Sequence, residues 1–382
     1  MSAQMSDHIL NITEAISIKY NNLVYELKES GQDVIVLSLG EAFFDIPLYS
    51  FADLPSPEIY HYGHSRGLLL LRDHLAGYYD SQYGVSVDSA SEIMITAGSK
   101  IALFMVFASI ISPGDEVLIY EPAWVSYTEQ IKLCFGIPVG IPSGESIKGF
   151  EQYITHKTRA IVINNPNNPC GRAYSREDLC TLVDLAKKYN IFLISDEAYS
   201  DFSGDSEFVS AGIFDPEKGN VIICNSMSKN YGMSGWRLGY VIAQKNFINE
   251  IIKVNQHLIT CPANILQLYV AKYFHRILDI TKPQIDSLLQ TRKRLSKYID
   301  VIGLKRLPGD ATFYFFISIA TSKLGSEKFC ETLINEHQVS AVPGIGYGKS
   351  CDGFIRVSIG SESIERVKIG LDRIKKLIQI TS

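Results

Sequence analysis

The chain has no uninterrupted apolar stretch approaching the roughly 20 residues that a helix needs to span a bilayer. Its first residues, Met1 to His8, contain neither the basic segment nor the apolar one of a secretory signal. Both absences lead us to expect a soluble, cytoplasmic protein with no membrane partner. There is no long basic run, and 36 Lys and Arg stand against 41 Asp and Glu for a net charge of -5. Such a surface has no overall attraction for polyanions, so nucleic acid is not an expected partner. The seven cysteines (Cys134, Cys170, Cys180, Cys224, Cys261, Cys330 and Cys351) are odd in number, scattered, and form no Cys-x-x-Cys pair. That pattern argues against a disulfide framework and a zinc site, and no metal is expected. Most of them fit small buried hydrophobes. A composition of 46% hydrophobic and 20% charged residues over 382 positions is that of a globular chain with room for more than one domain.

What is present centres on Val221-Ile222-Ile223-Cys224, an apolar run read as a buried strand, and on Asn225-Ser226-Met227-Ser228-Lys229 after it. Gly232 and Gly235-Trp236-Arg237-Leu238-Gly239-Tyr240 follow. A lysine after a strand is most often a solvated surface residue. Partly desolvated beside other cations, it becomes a nucleophile that forms a Schiff base with a carbonyl. Ser226, Ser228 and Arg237 add two hydroxyls and a planar guanidinium fork, the groups a phosphate needs. A Schiff-base lysine beside a phosphate cradle suggests pyridoxal 5'-phosphate as cofactor. The block resembles the cofactor-lysine motif of class I/II pyridoxal-phosphate-dependent aminotransferases of fold type I, the aspartate and aromatic aminotransferase-like group.

Further segments of the same resemblance occur in order along the chain. The run Val34 to Leu39 reads as a strand delivering Gly40-Glu41. Gly40 is by itself equally a turn glycine; the resemblance implies that its backbone approaches the substrate carboxylate, with Phe43 and Phe44 near the substrate side chain. Tyr60 to Arg72 reads as a polar turn opening an apolar helix. The resemblance implies that Tyr62 reaches the cofactor phosphate of another subunit, and hence a homodimer with a shared active site; without it, His61, His64 and Arg66 read as a solvated loop. Ile93 to Thr96 is a short strand, and Ala97-Gly98-Ser99-Lys100 opens a helix whose free N-H groups suit a phosphate. Ser99 and Lys100 are implied to cup it. Trp124, one of two tryptophans, is as readable as a core residue as it is a stacking surface for a pyridine ring; resemblance of Pro122 to Tyr127 to the family favours stacking.

The strand Ala160 to Asn164 runs into Asn165-Pro166-Asn167-Asn168-Pro169-Cys170-Gly171, a loop on any reading. It matches the family's Asn-Pro-x-Asn-Pro-Thr/Cys-Gly, which implies that Asn168 bonds the cofactor's phenolic oxygen and assists the substrate carboxylate. Ser175 and Asp178 read as a helix cap, and Ile191 to Ser195 as a buried strand ending at Asp196. A carboxylate there needs a cationic partner, and by resemblance the pyridine nitrogen supplies it. Tyr199 is implied to bond the phenolic oxygen. Helices are expected over 248–259, 265–280 and from 285 onward. Arg356 lies in the apolar run Phe354 to Ile359 and needs a carboxylate, either in an internal salt bridge or, as the family's Ile-Arg-x-Ser stretch implies, the substrate's.

Alternating strands and helices from about 90 to 240 predict a mostly parallel sheet with ligands at the strand C-termini. The resemblance covers nearly the whole chain and implies an α/β fold of fold type I. It comprises an N-terminal arm with part of the small domain (1–45), a large cofactor-binding domain with a seven-stranded sheet (46–285) and a small α+β domain (286–382). The implied activity is ping-pong transfer of an amino group from an L-amino acid to a 2-oxo acid, with Lys229 as general base and acid. Glutamate and 2-oxoglutarate are the expected second pair. The first pair stays open, since Phe43, Phe44 and Tyr347 suit an aromatic or apolar side chain while Lys100 and the Trp124 segment resemble the aspartate-related branch. The alternatives are a C-S β-lyase on the same ligand set, or a non-catalytic cofactor-binding module. Regulators of the latter kind carry a DNA-binding segment, for which no room is expected before residue 34.

Overall fold

The apolar runs between residues 90 and 245 form strands that are covered on both faces, and the computed structural model, which describes residues 4–382, joins them in one sheet. The strands, in chain order, are β1 (Ile35–Val36), β2 (Ile93–Thr96), β3 (Glu116–Tyr120), β4 (Ile137–Ile141), β5 (Thr158–Asn164), β6 (Phe192–Asp196), β7 (Val221–Ser226), β8 (Gly239–Ile242), β9 (Tyr314–Ser318), β10 (Val339–Ser340), β11 (Val342–Pro343) and β12 (Phe354–Ser358). The large sheet has the order β2-β8-β7-β6-β5-β3-β4. It is parallel except for β8, which runs antiparallel to both β7 and β2. Side chains alternate across it: in β7, Val221 and Ile223 enter the core on one face, Ile222 and Cys224 the core on the other.

Helices cover both faces because each carries an apolar stripe at helical spacing. Ser99–Ile110 and Lys245–Leu258 bury Leu103, Val106, Ile248 and Ile251 on one side. Leu69–Tyr83 and Arg176–Tyr189 bury Leu71, Leu75, Leu179 and Leu182 on the other. The expected Ser175/Asp178 capping box opens the last of these.

A second layered unit contains the antiparallel sheet β11-β12-β9 and the parallel pair β1-β10. The helices Ser326–His337 and Ile364–Thr381 pack on it. Its core takes Tyr20, Ile35 and Leu37 from the N-terminal segment together with Phe315, Val357 and Leu371.

Three sequence expectations are corrected. The N-terminal helix over residues 6 to 30 is two helices, Asp7–Leu10 and Ile16–Glu29, and the strand after it shrinks to β1. The segments 265–280 and 285 onward are one 38-residue helix, Asn264–Val301, which runs unbroken through the position where the large and small domains were expected to divide. Pro283 inside it forfeits a backbone bond, yet buried Ile277, Thr281 and Ile285 continue one stripe past it, so tertiary packing outweighs the defect. β4 was not foreseen, because Pro138 and Gly140 disguise it; as the edge strand it does not need every donor.

The register positions the site. Asn164 at the end of β5 lies opposite Asp196 at the end of β6, and Gly239 of β8 lies opposite both Ser226 and Thr96. The C-terminal ends of β2, β5, β6 and β7 thus share one edge, where open α/β sheets bind ligands. Because Ile222 is fully packed between β6 and β8, Ile222→Ala is expected to destabilise by about 3 kcal/mol, read as an earlier denaturant midpoint.

Candidate active site

Asp196 ends β6 and is 5% exposed. Its Oδ2 accepts a 2.6 Å bond from the Tyr127 hydroxyl and its Oδ1 a 3.2 Å bond from the Ala198 N-H. Burial pushes the carboxyl up to about 6 against the pull of these two donors. Lys229, in the turn after β7, donates to the carbonyl of Gly40. Enclosure lowers its pKa to about 8; Glu41 opposes that shift, and Arg356 and Arg237 add to it. Arg356, 3% exposed on β12, donates through Nη1 to Asn168 Oδ1 at 3.3 Å and through Nη2 to the Ser38 carbonyl, while its buried Nε has no partner. None of the ion pairs among the described residues includes Asp196, Lys229 or Arg356. The internal salt bridge considered for Arg356 is therefore not made.

A polar frame joins these groups. Asn164 donates to the Asp196 carbonyl at 3.0 Å and accepts the Asn168 N-H at 2.6 Å, which fixes the Asn165 to Gly171 loop against the strand ends. Asn168 Nδ2 donates to the Tyr199 hydroxyl at 3.3 Å, and that hydroxyl meets the one of Tyr314 at 2.9 Å.

At the other end of the site, Gly98 has φ +94 and caps the twelve-residue helix of Ser99 and Lys100. Gly239 lets β8 approach this helix start, where a Cβ would lie 2.5 Å from the Ser99 nitrogen. Arg237 has a left-handed backbone, φ +54, and folds its guanidinium over Gly98, whose Cβ would meet Nη2 at 2.7 Å. Its Nη1 donates to the Ser234 carbonyl at 2.7 Å and to Ser228 Oγ at 3.4 Å. Ser226 Oγ accepts the Ser228 N-H at 2.9 Å, so this hydroxyl already braces the turn that carries Lys229. Lys100 Nζ is 5.3 Å from the centroid of the Trp124 ring, and partial burial and Arg237 both lower its pKa.

Of the residues expected from sequence, Gly40, Ser99, Lys100, Trp124, Asn168, Asp196, Tyr199, Ser226, Ser228, Lys229, Arg237 and Arg356 all line one cavity of about 290 Å³. Tyr62 does not; it is 86% exposed on the surface. Phe43 and Phe44, expected near the substrate side chain, do not line it either. The Phe43 N-H bonds the Gly360 carbonyl, and close packing of Gly360 on Glu41 leads the chain outward. Ser17, Ile18 and Asn21 of the N-terminal helix border the cavity in their stead, and Tyr347 lines a larger one, about 1190 Å³, that adjoins it across Lys100 and Trp124. Sequence reading missed Tyr127, Asn164, Glu41 and Tyr314. Asn164 was findable as a second polar strand end beside Asp196; Tyr314 carried no local signal, since only the pairing of β9 with β12 brings it to Arg356.

A desolvated carboxylate without a cation, a lysine depressed towards neutrality and a cluster of anion donors at a helix start match a ligand with a basic aromatic nitrogen, a carbonyl and a phosphate. Pyridoxal 5'-phosphate has all three, and a doubly covered sheet with this donor set at its strand ends defines a fold-type I enzyme that uses it.

The chain matches the family model of aminotransferase class I and II over residues 34–374 and belongs to that family, whose cofactor is pyridoxal phosphate. It is 31% identical to an aspartate aminotransferase of Pyrococcus abyssi (93% of this chain, 94% of that one). It is 30% identical to an aromatic-amino-acid aminotransferase of Thermococcus litoralis over the same shares. The structure of the Thermus thermophilus aspartate aminotransferase with maleate aligns with a TM-score of 0.88 at 27% identity, covering 98% of this chain and 100% of that one. The protein is a pyridoxal-phosphate-dependent aminotransferase that acts on an amino acid and a 2-oxo acid.

The raised Asp196 pKa has a consequence for stability. A carboxyl whose folded pKa, about 6, exceeds its unfolded value of 3.8 binds more protons folded than unfolded between these two, so stability falls as pH rises through that window. Asp196→Asn without cofactor is therefore expected to melt higher than the wild-type apoprotein at neutral pH, with the difference vanishing below about pH 4. Melting temperatures against pH check this.

Proposed function

We propose that the enzyme exchanges amino groups between the glutamate/2-oxoglutarate pair and an amino acid with an acidic or aromatic side chain. The carrying observation is Arg356, a buried guanidinium with an idle Nε and no carboxylate partner beside the amine of Lys229. Arg356 binds the substrate α-carboxylate as a bidentate fork, with Asn168 and the backbone of Gly40 at its side. A Cβ at Gly40 would lie 3.5 Å from Arg356 Nη1, in the space this carboxylate needs.

Bound pyridoxal phosphate supplies an electron sink for the substrate Cα. Asp196 stays ionised against its ring nitrogen, which supplies the cation the carboxylate lacks, and Tyr127 and Ala198 orient it. Tyr199 and Asn168 hold the phenolic oxygen, and Trp124 covers the ring. The backbone of Ser99 and Lys100 with Ser226, Ser228 and Arg237 holds the phosphate, joined by Tyr62 from a second copy of the chain. Lys229, with its pKa near 8, takes the Cα proton as a free amine and returns it as an ammonium. The exposed Tyr60 and Tyr62 support a homodimer that covers them. Lys100 borders both cavities and favours an acidic side chain; Tyr347 in the larger one favours a ring. Seven free cysteines suit the reducing cytoplasm.

The purified protein should absorb at about 360 to 430 nm, shift to about 330 nm with its donor amino acid alone, and lose the band in Lys229→Ala. Release of ammonia and pyruvate without an oxo acid would turn the reading to the C-S β-lyase, and no band after reconstitution would refute it. Arg356→Lys loses the fork and is expected to raise the KM of both substrates about ten- to a hundredfold with the far-UV circular dichroism unchanged.

A further inference from the structure

Tyr314 is fully buried on β9, in the unit opposite the large sheet, yet lines the same cavity as Lys229. Its hydroxyl has one protein partner, the Tyr199 hydroxyl at 2.9 Å, and its ring centroid lies 4.6 Å from the Arg356 guanidinium carbon. Its backbone is pinned on both sides, the carbonyl by Arg292 Nη2 at 3.1 Å and the N-H by Thr312 Oγ1 at 3.3 Å.

The donor inventory orders this chain of contacts. Arginine can only donate, so Asn168 must present its oxygen to Arg356 and its NH2 to Tyr199. The Tyr199 oxygen is therefore already an acceptor. Burial raises both phenols and Arg356 draws both down, but Arg356 is the leading pull on Tyr314, whose ring it faces, and Tyr199 stays raised the further, which makes Tyr314 the readier donor of the two. A Tyr199 oxygen that accepts from both Asn168 and Tyr314 leaves its own O-H free to point into the cavity, and accepted bonds strengthen it as a donor.

Resting on the assignments of Tyr199 and Arg356 above, we infer that Tyr314 is a positioning residue with two separable parts: its hydroxyl directs the Tyr199 proton towards the cofactor oxygen, and its ring holds Arg356 in place for the carboxylate. The contact also ties the substrate-carboxylate arginine on β12 to the cofactor-side tyrosine after β6 through a single side chain.

The two parts are tested with Tyr314→Phe, which keeps the ring, and Tyr314→Leu, which removes both. The readouts on reconstituted enzyme are the pH midpoint of the bound chromophore's absorbance and the Kd of a simple monocarboxylate measured by calorimetry. Weaker donation from Tyr199 should move the midpoint of Tyr314→Phe upward by about half a unit or more, with the carboxylate Kd within about twofold of wild type. Tyr314→Leu should show the same midpoint shift and a Kd weaker by about fivefold or more. An unmoved midpoint in Tyr314→Phe, or equal loss of carboxylate affinity in both variants, overturns the inference. Tyr199→Phe is the control: if it moves the midpoint while Tyr314→Phe does not, the role of Tyr314 alone is wrong, and if neither moves it, the assignment of Tyr199 fails and the inference falls with it.

Discussion

Asp196, Lys229 and Arg356 share one cavity and none of them is in an ion pair with another side chain of the described residues; the architecture serves to hold them there. Asp196 at a buried strand end, Lys229 after the next strand and Arg356 from the other sheet each give up hydration for hydrogen bonds that only partly replace it. An isolated buried charge would neutralise or pull in solvent. Here two extensive cores on the faces of the large sheet and a third around β9 and β12 supply the rigidity to keep them desolvated. Burial accordingly shifts both Asp196 and Lys229 towards neutrality.

Neutral groups do the positioning. Tyr127 and the Ala198 N-H hold the Asp196 carboxylate, Asn164 braces both its strand and the Asn168 loop, and Asn168 spans from Arg356 to Tyr199. Because the links are short side chains at or just beyond strand ends, the distance between the Arg356 guanidinium and the Lys229 amine is set chiefly by sheet register. The left-handed backbone at Arg237 and the missing Cβ of Gly98 and Gly239 do the same at the anion end, bringing a strand, a helix start and a guanidinium closer than side chains would allow.

Much of this was legible in the chain. The strand-Ser-x-Ser-Lys block, the Asn-Pro-Asn-Asn-Pro-Cys-Gly loop and the acid after an apolar run each placed a chemically expressive residue at or just past a strand end, and twelve of the thirteen residues expected to hold the cofactor or the substrate carboxylate border the cavity. The misreadings came where long-range packing overrides local preference. The gap expected between residues 280 and 285 is bridged by a buried stripe that continues past Pro283, Pro138 and Gly140 masked an edge strand, and Phe43 lies exposed where its backbone pairs with Gly360.

Local sequence was enough to read the alternation of strands and helices, the polar ends of the parallel strands and the candidacy of Lys229, Asp196 and Arg356, because these depend on periodicity and on residue chemistry that neighbours in the chain reveal. It took the tertiary structure to show that Arg356 is held by Asn168 and the Ser38 carbonyl and not by a carboxylate, that Tyr127 rather than a cation steadies Asp196, and that Tyr314 meets Tyr199. Those contacts join residues at least 69 positions apart. Their geometry comes from the register of paired strands and the packing of two cores, neither of which any local stretch encodes.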